Sequence, residues 1–180
     1  MEIRQLLDEF WLYVKNNDIE IYNEFSFQHE LGIYLRGKIS NYKVQFERNI
    51  KYFYDYTNTL KKEIDIVVFN DIEKYAIELK YPKNGQYPEQ MFSFIKDIRF
   101  MEELKELGFS KTYVMTLVDD HNFYEGNASG VYSYFRDSKL LTGNICKPTG
   151  KKDEIICLKG SYHILWNDLF NDSKYYLIEI

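Results

Sequence analysis

Two β-prone runs set back to back constrain this chain more than any other feature. Glu63-Ile64-Asp65-Ile66-Val67-Val68-Phe69 is rich in β-branched residues. Asn70-Asp71 can turn the chain, and Glu73-Lys74-Tyr75-Ala76-Ile77-Glu78-Leu79-Lys80 follows. The pattern predicts an antiparallel strand pair. Side chains alternate across a strand, so Ile64, Ile66 and Val68 are expected on one face, with Tyr75, Ile77 and Leu79 beside them. The opposite face then carries Asp65, Glu78 and Lys80, interspersed with Val67, Phe69 and Ala76. Two carboxylates and an ammonium on a half-apolar face are costly unless they are paired or hold a metal.

The flanking sequence supplies the rest of an α/β arrangement. Ile3, Leu6, Leu7, Phe10, Trp11 and Val14 recur at helical spacing, and Asn16-Asn17-Asp18 ends that helix. A second helix is expected from an N-cap near Ser26 to about Gly37. Tyr42, Val44 and Phe46 alternate with polar residues, as in a strand. Residues 51–60 read as a polar, Tyr-rich loop or ribbon. Pro88 and Glu89 suit a helix start. Met91, Phe94, Ile95, Ile98, Met101 and Leu104 form its apolar stripe, with Gly108 as its stop. Residues 112–118 read as a strand. Beyond Asp119, strands are expected at 131–135, 154–158, 161–166 and 175–180. Turns are expected at Thr142-Gly143-Asn144 and in the basic stretch from Lys147 to Lys152. With no linker or repeat, residues 1–180 read as one domain, with a core at about 25–118 and a β-rich extension at about 119–180. The fold class is a mixed central sheet flanked by helices.

Composition excludes several classes. With 17 Tyr, 13 Phe and 45% hydrophobic residues the chain can bury a core, which excludes disorder. Its two cysteines, Cys146 and Cys157, are too few for a disulfide scaffold and read as free thiols. No signal peptide or membrane-length apolar run is visible, so the cytoplasm is the expected compartment. The net charge of -5 counts against a protein that coats nucleic acid nonspecifically. It leaves room for a metal site built from carboxylates, where bound cations change the local sign.

Asp, Glu and Lys on adjacent strands are the parts that metal-assisted phosphodiester hydrolysis needs. Carboxylate oxygens suit Mg²⁺, which keeps waters and takes substrate phosphate. The ion polarises a phosphoryl oxygen and acidifies a bound water for in-line attack. A neighbouring ammonium orients that water or stabilises the developing negative charge. Ile64-Asp65, followed by Glu78-Leu79-Lys80 within Ala76-Ile77-Glu78-Leu79-Lys80-Tyr81-Pro82, resembles the PD-(D/E)XK motif of restriction-endonuclease-like nucleases. That superfamily includes type II restriction enzymes, Holliday-junction resolvases and RecB-type nucleases. Glu30, on a helix before the first core strand, matches a further metal-linked acid in many members. Gln90 with Phe94 is similar to the Gln-x-x-x-Tyr helix of RecB-like members, with Phe for Tyr. Ile64 departs from the motif proline.

The resemblance implies roles for these residues. Asp65 and Glu78 would be metal ligands, with the Leu79 carbonyl as a third, and Lys80 would be the catalytic lysine. Glu30 and Gln90 would assist metal or substrate. The implied activity is Mg²⁺-dependent cleavage of DNA, with Mn²⁺ as a substitute. It would be endonucleolytic, act as a homodimer or with a recognition partner, and serve restriction, phage defence or repair. RNA cleavage, or a binding module of the same fold with weak or no activity, remains open.

Other polar groups have plainer explanations. Asp119-Asp120-His121 reads as a polar loop, His29 as a helix residue able to contact DNA, and His163 as a core-edge residue of a strand. Arg136, Lys147, Lys151 and Lys152 could touch phosphates but read first as solvated. Tyr52, Tyr54 and Tyr56 could stack on bases or pack as an edge ribbon. No zinc spacing, Walker loop, dinucleotide fingerprint or serine-hydrolase elbow is present.

Overall fold

A computed structural model describes residues 3–55, 58–150 and 154–180. Helices α1 (Ile3–Lys15) and α2 (Glu24–Lys38) precede strands β1 (Lys43–Asn49), β2 (Glu63–Phe69) and β3 (Lys74–Lys80). Helix α3 (Tyr87–Glu106) leads to β4 (Lys111–Val118). A short helix α4 (Tyr132–Arg136) and strands β5 (Leu141–Cys146), β6 (Ile155–Tyr162), β7 (Asn167–Asp168) and β8 (Lys174–Glu179) complete the chain. The main sheet has the order β1-β2-β3-β4-β8-β7. β3 and β4 are parallel, joined across α3, and the other pairs are antiparallel, so the sheet is mixed. β5 and β6 form a separate two-stranded ribbon.

Both faces of the sheet are covered, which explains the near-continuous apolar runs of β2 to β4. On one face Ile66, Val68, Ile77, Leu79, Tyr113 and Met115 pack against Leu7, Phe10 and Trp11 of α1 and Phe27, Leu31 and Leu35 of α2. On the other, Val67, Phe69, Ala76 and Val114 pack against α3, with the β5–β6 ribbon and Phe135 of α4 in the same cluster. Gly32 lets α2 come close to the sheet: a Cβ there would sit 2.1 Å from the Phe46 ring. Among the described residues no helix is long and apolar enough to cross a membrane.

Several local expectations change. α2 starts before Ser26: Asn23 is the N-cap and Ser26 closes the capping box from the third helical position. Residues 131–135 form no strand. After Gly130, the Ser133 hydroxyl and N–H both donate to the Gly130 carbonyl and close a helical turn instead. Thr142-Gly143-Asn144 is not a turn but lies inside β5, where Gly143 at φ 68° accompanies a register shift against β6. Residues 161–166 are not a separate strand, because β6 runs through to Tyr162. His163 is exposed, its Nδ1 2.8 Å from the Ser138 carbonyl oxygen. Lys151, Lys152 and Tyr56 lie outside the described residues.

Candidate active site

β2 and β3 are paired from Ile66–Ile77 to Phe69–Lys74 and part beyond that point. The Asp65 carboxylate fills the gap, its Oδ2 accepting the Leu79 N–H at 2.8 Å. The N–H and C=O of a strand residue point to the same side, so the Leu79 carbonyl is also directed toward β2. Across from Asp65, Glu47 of β1 has φ 46°, a left-handed conformation that only a constrained strand holds. The distortion also moves Ile64. Expected beside Ile66 and Val68, it instead joins the cluster on the α3 face.

Glu78 points toward α3 and is 1% exposed. There it meets two groups that strand periodicity cannot supply. Lys61, from the segment before β2, forms ion pairs with Glu78 Oε1 and, at 2.5 Å, with Asp97 Oδ1. Asp97 is wholly buried on α3, inside an otherwise apolar stripe between Phe94 and Met101. Lys80 lies 3.9 Å from Asp97 Oδ2 and 3.7 Å from Glu24 Oε1 at the start of α2. The Glu24 carboxylate is fixed by the Tyr81 N–H at 2.9 Å. Glu78 Oε2 is buried and has no hydrogen-bond partner among the described residues.

The electrostatics follow from this crowding. Burial pushes the Asp65 carboxyl up to about 6, against the opposing pull of the Leu79 N–H and the Lys61 charge. Burial, and then the charges of Asp65 and Asp97, hold Glu78 well above the usual carboxylate range. Asp97 is raised by burial against the pull of Lys61 and Lys80. Burial works against the charge of both lysines, but the carboxylates, Asp97 foremost, outweigh it and raise them. Three carboxyl groups thus face two ammonium groups, and the acids hold protons more tightly than in water. The cluster is short of positive charge, which a proton or a cation can supply.

The residues fit a hydrated divalent ion better than a protein-enclosed one. Among the described residues no three His, Cys, Asp or Glu side chains are arranged to hold a metal. Asp65 and Glu78 supply two carboxylates, which matches the usage of Mg²⁺, an ion that keeps waters and shares substrate phosphate. The orphaned Glu78 Oε2 is a ready acceptor of this kind.

Asp65, Glu78 and Lys80 are brought together as expected, but Glu30 and Gln90 are not. Glu24 and Gln28, one turn apart on α2, line the Asp65 hollow with Leu79. Glu30 is rotated roughly 200° from Gln28 at 3.6 residues per turn, and lies beside Tyr13, Ile33 and Lys38. Gln90 shares the azimuth of Asp97 but sits about 10 Å nearer the start of α3, where its Nε2 donates to Asn84 Oδ1 at 2.8 Å. Phe94 packs in the core against Phe123 and Phe135. Asp97, Lys61, Glu24 and Glu47 escaped the sequence reading. Only Asp97 carried a signal, as a lone acid inside an apolar helical stripe.

The remaining polar groups are engaged elsewhere. Asp119 accepts from Lys83 at 2.6 Å and from Tyr81 at 3.1 Å, while Asp120 caps the following turn and accepts from Tyr87 at 2.6 Å. Arg136 donates to the main-chain oxygens of Asn122 and Asn127, and Lys147 pairs with Glu154. Tyr52 lies under the Arg48 guanidinium and Tyr54 packs on Phe109. No protein-family model, curated protein or solved structure matches the chain.

Proposed function

We propose that this protein is a divalent-metal-dependent nuclease of the restriction-endonuclease-like class, cutting DNA phosphodiester bonds at Asp65, Glu78 and Lys80. The observation that carries this reading is the parting of β2 from β3. It leaves Asp65 and Glu78, two carboxylates of raised proton affinity, on one opening with Lys61, while Lys80 pairs nearby with Asp97 and Glu24.

Asp65 and Glu78 would hold Mg²⁺, together with the Leu79 carbonyl. Bound there, the ion supplies charge neutralisation at a phosphoryl oxygen and a more acidic water. The protein's own residues do the rest. The Leu79 N–H fixes one oxygen of Asp65 and leaves the other toward the opening. Asp97 keeps Lys80 charged at the edge of the cluster, where an ammonium can stabilise negative charge developing on a phosphate. Lys61 pairs with Glu78 and adds a second cation on the side where a phosphate chain would run.

The test is cleavage of plasmid, single-stranded DNA and RNA in Mg²⁺ or Mn²⁺, beside Lys80→Ala. We expect metal-dependent cutting that falls 10²- to 10³-fold in the variant, the usual loss when a group stabilising transition-state charge is removed. Cutting that survives Lys80→Ala unchanged would falsify the assignment. The Lys61–Glu78 ion pair favours one second reading, a nucleic-acid-binding module without catalysis. Binding without cutting, in the presence of metal, would select it.

A further inference from the structure

Asp65 lies between two acidic hollows, of which one is lined by lysines and the other by an aromatic ring. On the α2 side lies a hollow of about 180 Å³ lined by Glu24, Phe25, Gln28, Glu47, Asp65 and Leu79. On the other side the lining joins Lys61 and Lys62 to Asn49 and the carboxylates of Glu47, Glu63, Asp65 and Glu78. The second carries the cations that a phosphate chain needs. The first has three carboxylates and no Lys or Arg in its lining, so a phosphate is better placed in the second.

Its other wall is aromatic. Phe25 is 71% exposed, whereas Phe27 two positions on is fully buried. The His29 ring, one turn along α2, lies 13° from parallel to Phe25 with centroids 6.2 Å apart. Phe25 therefore adds little to the core and presents a flat apolar surface at the mouth of the hollow. The polar groups beside it are acceptors. Gln28 Nε2 is spent on Glu47 Oε1 at 2.6 Å and on the Asp65 main-chain oxygen at 2.9 Å, so the amide has its Oε1 acceptor left, beside the carboxylates of Glu24 and Glu47 in the same lining. At the start of α2 the Asn23 side chain takes the Ser26 N–H, and the Ser26 hydroxyl takes the N–H groups of Tyr22 and Asn23.

A neutral planar ring carrying amino donors satisfies both walls. We infer that Phe25, backed by His29, stacks a nucleobase next to the phosphate held at Asp65, and that the substrate is single-stranded or locally unpaired there. A base inside a duplex cannot reach a side-chain platform without leaving its stack. The acceptor-only rim favours cytosine or adenine, which present amino groups, over thymine, which presents none on that edge. The inference rests on the nuclease reading and names the substrate class for that site.

The test uses the full chain in Ca²⁺, with fluorescein-labelled dC and dT dodecamers and a mixed-sequence duplex, for wild type, Phe25→Ala and Phe25→Trp. Wild type is expected to bind the single strands at least tenfold tighter than the duplex, and dC severalfold tighter than dT. Phe25→Ala should lose about fivefold or more on single strands, about fivefold being the low end of one lost stacking contact. Phe25→Trp should retain binding, with quenching of its exposed indole. Equal affinity of wild type and Phe25→Ala, or a duplex bound as tightly as single strands, overturns the stacking site. If either result comes with Mg²⁺-dependent cleavage that Lys80→Ala abolishes, only the stacking site falls. If no nucleic acid is bound or cut, the nuclease reading falls with it.

Discussion

Two buried acids five residues apart on α3 show how one element can serve architecture at one point and chemistry at another. Glu102 is saturated with donors. It accepts from the main-chain N–H of Lys159 and of Gly160, from the Tyr162 hydroxyl at 2.9 Å and from Arg99 at 3.0 Å. Those bonds fasten the β5–β6 ribbon onto the helix. Asp97 faces the sheet and, among the described residues, is met only by the ammonium groups of Lys61 and Lys80, beside a Glu78 with one oxygen unpartnered. A fully bonded carboxylate locks two elements together. A carboxylate cluster short of donors keeps affinity for a proton or a cation, and that difference separates a clamp from a site.

The comparison yields predictions in decreasing order of size. Glu78→Gln should lower metal-dependent cleavage 10²- to 10³-fold and abolish the rise in Tm on adding Mg²⁺, while leaving the metal-free Tm no lower. A collapse of that Tm would make Glu78 a clamp like Glu102. Glu102→Ala should do the reverse. Leaving four donors without their acceptor costs about 3 kcal/mol, a fall in Tm on the order of 10 °C for a chain of this size, with the Mg²⁺ response intact. Calorimetry of both variants with and without Mg²⁺ separates the two behaviours.

A third prediction concerns pH. The Asp65 carboxyl lies near 6 in the folded chain, above its ordinary value of 3.8. Its contribution to stability is therefore fully present below about pH 4 and is lost as pH rises through 6. The loss is roughly 3 kcal/mol, and Glu78 and Asp97, both raised, add in the same direction. Mg²⁺ competes for the same oxygens, so it should raise Tm more at pH 8 than at pH 5. An equal shift at both values would show that the ion binds elsewhere. The smallest effect is expected for Lys159→Ala, which removes an exposed ion pair with Glu106 but keeps the N–H bonded to Glu102. Its Tm should move by less than about 2 °C.

The part of the site legible in the sequence was the part governed by local periodicity. Glu78 and Lys80 stand in a strand whose alternation is written in Tyr, Ile and Leu, and their shared face follows from it, whereas Asp65 reaches them because β2 leaves β3 at that point. Glu30 failed because motif order along a chain carries no helical azimuth: α2 begins at Glu24, and its sheet-facing turn presents Glu24 and Gln28. Gln90 failed for a related reason, since the crossover brings the middle of α3 to the opening rather than its first turn. In the C-terminal third, Gly143 looked like a turn because glycine permits both a turn and a strand bulge.

Sequence alone was sufficient for the mixed α/β class, the β2–β3 hairpin, the long helix with its stop at Gly108, and the shared face of Glu78 and Lys80. All of these depend on interactions within a few residues. Tertiary structure alone decided that Lys61 and Asp97 join them, that β2 parts from β3 at Asp65, and that Phe25 remains exposed beside the opening. Each of these depends on groups distant in sequence meeting across a crossover or a loop. Their cost or benefit comes from shared burial, a quantity that residue spacing does not contain.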